Sequence, residues 1–535
     1  MRLRGPDWPS RSVLGLRPKF AVGRRVLLCA LVASSVAARA DGPARSPDLS
    51  QAPSPAPNKT AALTLLDAVG LALEHDPNIA IVRSQVRYSE GSLLVASGPF
   101  DPVVTGSVRQ EDPASPANAA AEASPATLES SVGVSKQLRN GLVLEPGVDL
   151  MRVDGAGPGA DNLATVRFTV RQPLLRGRGR KAVAAGEVAA TRELEAARLD
   201  LEHTVSVRIA EVASRYWSFQ AASRGLEILR ASEESSRRLL ESTRRLAAAD
   251  VTPAAEVVLV EADVAAKEAA RIAGEQELFA ARSALGLAVG LRHDEIARLP
   301  LPADPLPGVP PDDIPPADDD GAFVEAALAH RADLASARTR SDAERTLQHA
   351  AENALEPRLD LLFTPSYAGA VEGGGAGRYF DGLGEVGGGL GTTLSLSLSW
   401  PTRNREAEGE LLQSRALAEQ RDLEADLLVR QIGADVPTAL NAVRTGAARL
   451  AKASQAVRYF VQAVANEQKK LQVGRSTLID VINQQDRLTA ARQSELSARL
   501  SLALALVELR FQTGTLTSGD GDVDRRDLTT LPSAG

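Results

Sequence analysis

Apolar side chains at Leu201, Val205, Ile209, Val212, Tyr216, Phe219 and Leu226 keep a three-and-four spacing, while Arg208, Glu211, Arg215, Glu227 and Arg230 fall between them. That pattern puts one apolar stripe along a helix and leaves the other faces solvated. No proline follows Pro173 until Pro253, so a helix over Arg180 to Ala249 is predicted, and at about 1.5 Å per residue it would reach roughly 105 Å. No compact domain needs such a length. A second stretch from Asn404 to Val473 has the same character, with a kink expected at Pro437. The first exits through Asp250-Val251-Thr252-Pro253 and the second through Gly474-Arg475-Ser476-Thr477, each into another apolar-periodic run.

Before each long helix the period changes. A helical pattern through Leu65, Val69, Leu73, Ile79, Val82, Val86 and Leu93 ends near Gly98-Pro99. From Pro102 the chain alternates weakly over Val103 to Gln110. A hairpin is then expected, Ser130 to Leu138 and Leu142 to Met151 about an Asn140-Gly141 turn, because both residues tolerate positive φ. Val166, Phe168 and Val170 alternate with Arg167, Thr169 and Arg171 up to Gln172-Pro173. In the later half Leu359 to Thr364 and then Thr393 to Trp400 play the same part, closed by Pro401.

The chain is built twice. At an offset of 324 − 69 = 255, Val69 pairs with Val324, Leu73 with Leu328, His75 with His330, Arg83 with Arg338 and Pro102 with Pro357. At 474 − 250 = 224, Asp250 pairs with Gly474 and Glu256 with Asp480. Between the flanking prolines the first half spans 173 − 102 = 71 positions and the second 401 − 357 = 44, so the first carries 71 − 44 = 27 more. The hairpin around 130–151 accounts for that difference. The expected organisation is a first repeat over 61–298 (strands about 102–172, tip near 250–253), a Pro/Asp-rich linker over 299–320, a second repeat over 321–515 (strands about 357–400, tip near 474–477) and a polar tail over 516–535.

Composition sharpens this picture at the ends. Arg24-Arg25 precede an apolar run from Val26 to Val36 that stops before Ala38-Arg39-Ala40, the pattern of a signal peptide over 1–40, with a flexible Pro-rich leader over 41–60. The single cysteine, Cys29, lies inside that run after Leu28, so the mature chain would have no thiol and no lipidated terminus. A net charge of −7 without a domain-wide basic face argues against a nucleic-acid partner. Arg176-Gly177-Arg178-Gly179-Arg180 lacks the spacing and acidic partner of a nucleotide fingerprint and reads as a flexible basic junction, suited to facing lipid phosphates. Five histidines do not suggest a metal site, and no cofactor or catalytic constellation emerges, which argues against an enzyme. His75 and His330, matched in the two halves, suggest packing or hydrogen bonding.

No stretch after the signal is long and apolar enough for a membrane helix, so an exported chain that crosses a membrane would do so as strands. The 165–171 and 393–400 runs alternate as transmembrane strands do, with Trp400 where a boundary aromatic would sit. Four or six strands are too few to close a barrel, since the smallest have about eight. Several chains must then share one.

Leu63-Thr64-Leu65-Leu66-Asp67-Ala68 with Ala72-Leu73-Glu74-His75-Asp76-Pro77, then Gln172-Pro173-Leu174-Leu175, then Val473-Gly474-Arg475-Ser476-Thr477-Leu478-Ile479-Asp480-Val481 resemble the TolC-like outer-membrane efflux family over about 61–515. The resemblance implies an α+β membrane protein: a homotrimer with one shared outer-membrane β-barrel, continued across the periplasm by a long α-helical barrel. It also implies an exit duct for efflux or type I secretion, working with a periplasmic adaptor (membrane fusion protein) and an inner-membrane transporter, and seated in outer-membrane lipid. By position, Asp480 lines the periplasmic constriction, with Asn483 one turn on where the family often has a second acid, and Glu256 as its counterpart in the first repeat. Asp250, Val251, Thr252, Gly474, Arg475 and Ser476 form the tip turns facing the adaptor. The extra hairpin departs from the family's four strands per protomer. Inside the barrel it makes 3 × 6 = 18 strands; as an external loop it leaves 3 × 4 = 12. The rival readings are a periplasmic coiled-coil adaptor, which needs one hairpin flanked by compact β-domains, and a structural spacer, for which the strands are superfluous.

Overall fold

A computed structural model describes residues 62–112, 126–154, 161–250, 252–309, 314–316, 319–372, 388–516 and 531–532, with positions 379, 381 and 383. The expected signal and leader, most of the polar tail, part of the linker and Val251 of the first tip lie outside the described residues.

Helices α1 (Leu65–His75) and α2 (Pro77–Ser97) are separated by Asp76. Its extended backbone and its carboxylate, which accepts the Asn78 N–H at 2.8 Å, cap α2, and Pro77 occupies the first helical position, where no donor is needed. Strands β1 (Val103–Glu111), β2 (Ala126–Gln137), β3 (Val143–Asp154) and β4 (Asp161–Pro173) follow. A single turn, α3 (Arg180–Val183), leads into α4 (Ala185–Ala248), which returns as α5 (Ala254–Ala288) and the short α6 (His293–Ile296). The second repeat has α7 (Asp320–His330), α8 (Ala332–Ala354), β5 (Arg358–Glu372), β6 (Gly389–Ser399), α9 (Arg405–Gln472) and α10 (Leu478–Gln512).

The 64 residues of α4 and 68 of α9 correspond to about 96 and 102 Å at 1.5 Å per residue. The first long helix is broken at Ala184, one turn after its expected start, and α9 continues through Pro437.

The strands form one antiparallel sheet in the order β1-β2-β3-β4-β5-β6, so the two repeats meet at the β4–β5 ladder. The extra hairpin is part of that sheet, between β1 and β4. β5 extends to Glu372, well past Thr364, because β4 and β6 supply ladder partners beyond the point where alternation fades from the sequence.

Two apolar cores sit partway along the helices. In one, Leu65, Val69 and Ala72 of α1 pack on Ile209, Val212, Tyr216, Trp217 and Phe219 of α4, with Leu285 of α5 and Ala503 and Val507 of α10. In the other, Phe323 and Ala327 of α7 and Leu334 of α8 pack on Ile432, Val436, Leu440 and Val443 of α9 and on Leu502, Leu506 and Leu509 of α10. Each core is where a short helix crosses a long one.

The end of α5 abuts the α1–α2 break, and α10 repeats this at the α7–α8 break. Gly290, with φ +81°, lies against the His75 carbonyl, and Gly514, with φ +70°, against that of His330. The histidines match as well: Nδ1 of His75 is 3.0 Å from the Leu71 carbonyl and that of His330 is 2.8 Å from the Ala326 carbonyl.

The start of the linker is fastened to the first repeat, whereas its Pro315 and Pro316 carbonyls accept hydrogen bonds from Arg444 of α9. Leu63 exchanges backbone hydrogen bonds with Leu301 and Ala303, and the Leu65 N–H donates to Asp304 Oδ2 at 2.7 Å. Tyr216 Oη lies 2.9 Å from Asp304 Oδ2 and 3.0 Å from the Leu63 carbonyl, and Gln220 donates to the Asp304 carbonyl. Burial first, then the Asp304 carboxylate, pushes the Tyr216 phenol well above its ordinary range, so it remains a donor.

Candidate functional site

At the bottom of the helices the two tip turns solve the same backbone problem with different residues. Gly474 ends α9 with φ +69°, and the Arg475 N–H donates to the Lys470 carbonyl at 2.9 Å, a glycine-closed helix end. Asp250 takes the equivalent place after α4 with φ +58°, a conformation that aspartate tolerates better than most side chains. It is exposed, as are Gly474 and Arg475; Thr252 and Ser476 are half-buried.

Thr477 starts α10 with a capping box. Its hydroxyl donates to Asp480 Oδ2 at 2.6 Å, its N–H donates to the same oxygen at 3.1 Å, and the Asp480 N–H returns to the hydroxyl at 3.3 Å. The Thr477 side-chain bond, then its backbone N–H, holds the Asp480 carboxyl below its usual range. Ser476 donates to Glu467 Oε1 at 2.5 Å and Lys470 to Glu467 Oε2 at 2.9 Å, so Glu467 is likewise held low, chiefly by Ser476. Asp480 and Asn483 are exposed one turn apart, on one face of α10.

Glu256 is half-buried in the first turn of α5. Among the described residues no side-chain hydrogen bond or ion pair joins it to Asp480, so the chain by itself assembles Ser476, Thr477 and Asp480 but leaves Asp250, Thr252 and Glu256 in a separate turn. The Thr477-to-Asp480 box has a local pattern, a threonine three residues before an acid. Glu467 has none, because nothing local ties it to Ser476, 476 − 467 = 9 residues away.

Above the tips the hairpins are tied together. Lys267 of α5 pairs with Asp486 of α10 and lies 3.6 Å from Asp263, and Ser232 of α4 is 3.1 Å from Thr489. At the upper end, Arg139 in the β2–β3 turn grips Glu187 of α4 through two bonds of 2.6 and 2.5 Å and stacks 4.9 Å over Phe100. The Gly179 N–H donates to the Asn140 carbonyl and the Gly177 N–H to Asn353 Oδ1, so the basic junction expected to be flexible is hydrogen-bonded to the sheet turn and to α8.

A family profile described as "Outer membrane efflux protein" matches residues 323–515. The fold matches VceC, an outer membrane protein of Vibrio cholerae, at TM-score 0.60 and 18% identity over 84% of this chain and 96% of that one. It also matches the CmeC outer membrane channel of Campylobacter jejuni (TM-score 0.60, 14% identity, 84% and 85% covered) and the MtrE outer membrane channel of Neisseria gonorrhoeae (TM-score 0.58, 16%, 84% and 88%). The later half of the chain thus matches the outer membrane efflux protein family, and the fold as a whole is that of solved outer-membrane channels. No curated protein matches it by sequence.

Proteins of that family are passive outer-membrane conduits rather than enzymes, with a membrane β-domain and a periplasmic helical extension. Channels of this family generally form trimers and work with adaptor and pump partners. No described helix is long and apolar enough to cross a membrane.

Proposed function

We propose that three copies of this chain close into the exit duct of a tripartite efflux or type I secretion system, taking substrate from an inner-membrane pump through a periplasmic adaptor to the outside. The observation that carries this reading is the sheet itself. Its two edges, β1 and β6, have no partner strand among the described residues, while one face is mostly apolar and the other mostly polar from β1 to β6. A sheet of that kind is stable in lipid only when copies close it. The tip turns, with Asp250, Gly474 and Arg475 exposed and Thr252 and Ser476 half-buried beside them, are the adaptor-facing surface. Asp480, with Asn483 and Glu256, lines the constriction, where three carboxylates about one axis attract cations and repel one another.

Single-channel conductance of the purified protein in a planar bilayer tests the reading, with wild type set against Asp480→Asn. Asparagine keeps an acceptor for the Thr477 donors, so the charge is removed with little change to the cap. Discrete conductance, with a weaker cation preference in the variant, is the expected result. Conductance indifferent to the substitution places the gate elsewhere, and no insertion by folded protein revives the adaptor and spacer readings.

A further inference from the structure

The β2–β3 hairpin has what a membrane wall needs on both faces. Residues paired across an antiparallel ladder share a face. Following the registers, one face carries Val104 and Val108 of β1, Val132 and Val134 of β2, Leu144, Val148 and Leu150 of β3, Val166, Phe168 and Val170 of β4, Leu361 and Phe363 of β5, and Leu394, Leu396 and Leu398 of β6. The opposite face carries Ser107 of β1, Ser131 and Ser135 of β2, Glu145 and Asp149 of β3, Arg167, Thr169 and Arg171 of β4, Thr364 and Ser366 of β5, and Ser395 and Ser397 of β6. The polar face is knitted across strands: Ser107 to Ser131 at 2.8 Å, Arg167 to Asp149, Arg171 to Glu145 at 3.7 Å, and Thr169 to Thr364 at 3.1 Å. An extracellular loop would have no reason to keep an apolar face in step with four lipid-facing strands.

Length and anchoring agree. β2 and β3 have 12 residues each, enough to span the roughly 9–11 residues a transmembrane strand needs. Their turn lies at the helix end of the sheet, with Arg139 on Glu187 and Asn140 on Gly179. A side chain at Gly141 would come within 2.2 Å of the Gly177 carbonyl, so the turn is seated against the strand-to-helix junction.

We propose that the outer-membrane barrel of this protein has 3 × 6 = 18 strands, with the β2–β3 hairpin of every copy in the lipid-facing wall and the β1 edge of one copy pairing with the β6 edge of the next. This rests on the trimeric duct reading. Barrel diameter grows about linearly with strand number, so the wall is about 1.5-fold wider than one of four strands per copy, within the range of barrels that hold an open aqueous channel. The occupant of the two bare edges is a second copy of this chain, because backbone donors and acceptors left open in lipid cost several kcal/mol each.

Single cysteines in a Cys29→Ser background, which has no other thiol, test the wall directly. Val132→Cys, Val148→Cys and Leu150→Cys sample one face, and Ser131→Cys and Ser135→Cys the other. Each is spin-labelled in protein reconstituted into phospholipid vesicles, its oligomeric mass having been measured in detergent. The expected result is a trimer in which oxygen collisions dominate at the first three sites and a water-soluble nickel chelate dominates at the other two. A trimer in which nickel reaches all five sites overturns the 18-stranded wall and leaves the duct intact. Protein that is folded but monomeric and outside the membrane overturns both. Val166→Cys and Thr165→Cys in β4 are the controls, since they alternate in either barrel.

Discussion

Gly290 and Gly514 show how much of this architecture depends on single residues. Each has a positive φ, and an added Cβ would lie 2.8 Å from the His75 carbonyl oxygen at the first and 3.0 Å from the His330 carbonyl carbon at the second. Gly290→Ala and Gly514→Ala should each lower stability by about 1–2 kcal/mol from backbone conformation, more where the neighbouring helix cannot yield. Thermal unfolding followed by circular dichroism measures this. Gly186→Ala, in the first turn of α4 with open space around it, should leave the midpoint unchanged or raised. Asp480 makes a prediction about acid. Its folded pKa lies below the ordinary 3.8, so its stabilising contribution is fully present above pH 3.8 and is lost as pH falls through the lower folded value. Asp480→Asn should therefore flatten that part of the stability profile, and an acid titration as steep as the wild type's would show that the cap has no such role. Thr477 and Asp480 form their pair within one local pattern; the Gly290 and Gly514 contacts leave none, because they bring together segments more than 180 residues apart.

Among the elements, the long helices were the most legible and the sheet the least. Ile209, Val212, Tyr216 and Phe219 repeat at 3.6 residues and all are buried on α4, since one narrow stripe faces the core. The break at Ala184 had no local signal: the alanine-rich stretch favours helix, and the neighbouring Gly179 is drawn onto Asn140 of the hairpin turn. β1 and β2 alternate weakly because glycines and serines fill both faces, so their membership in the sheet emerges only from the register. The tie between Lys267 of α5 and Asp486 of α10 joins the two hairpins across chain distances no periodicity reports. Lys267→Met and Asp486→Leu, singly and together, should show a coupling of about 0.5–1 kcal/mol in unfolding free energy, as a half-exposed pair allows. Strict additivity of the two would mean that the pair does not hold the hairpins together.

For the molecule as a whole, the repeat is what joins sequence to function. The offsets of 255 and 224 place α1 over α7, the Asp250 turn over the Gly474 turn and Gly290 over Gly514, so the same joint is made twice and both cores form by the same crossing. The match to outer-membrane channels agrees with the strands that alternate apolar and polar along one six-stranded sheet. In the proposed duct the cation-attracting constriction at Asp480 is a property of the assembly, since one exposed carboxylate gains its meaning from two others about a common axis. The sequence by itself determined the repeated pattern, the long helices and the turn positions, because periodicity and turn chemistry are local. Only the tertiary structure decided that the extra hairpin lies in the sheet, that the linker is pinned by Tyr216 and Asp304, and which helix ends meet, because registers and contacts between segments far apart in the chain are set by packing and leave no local pattern.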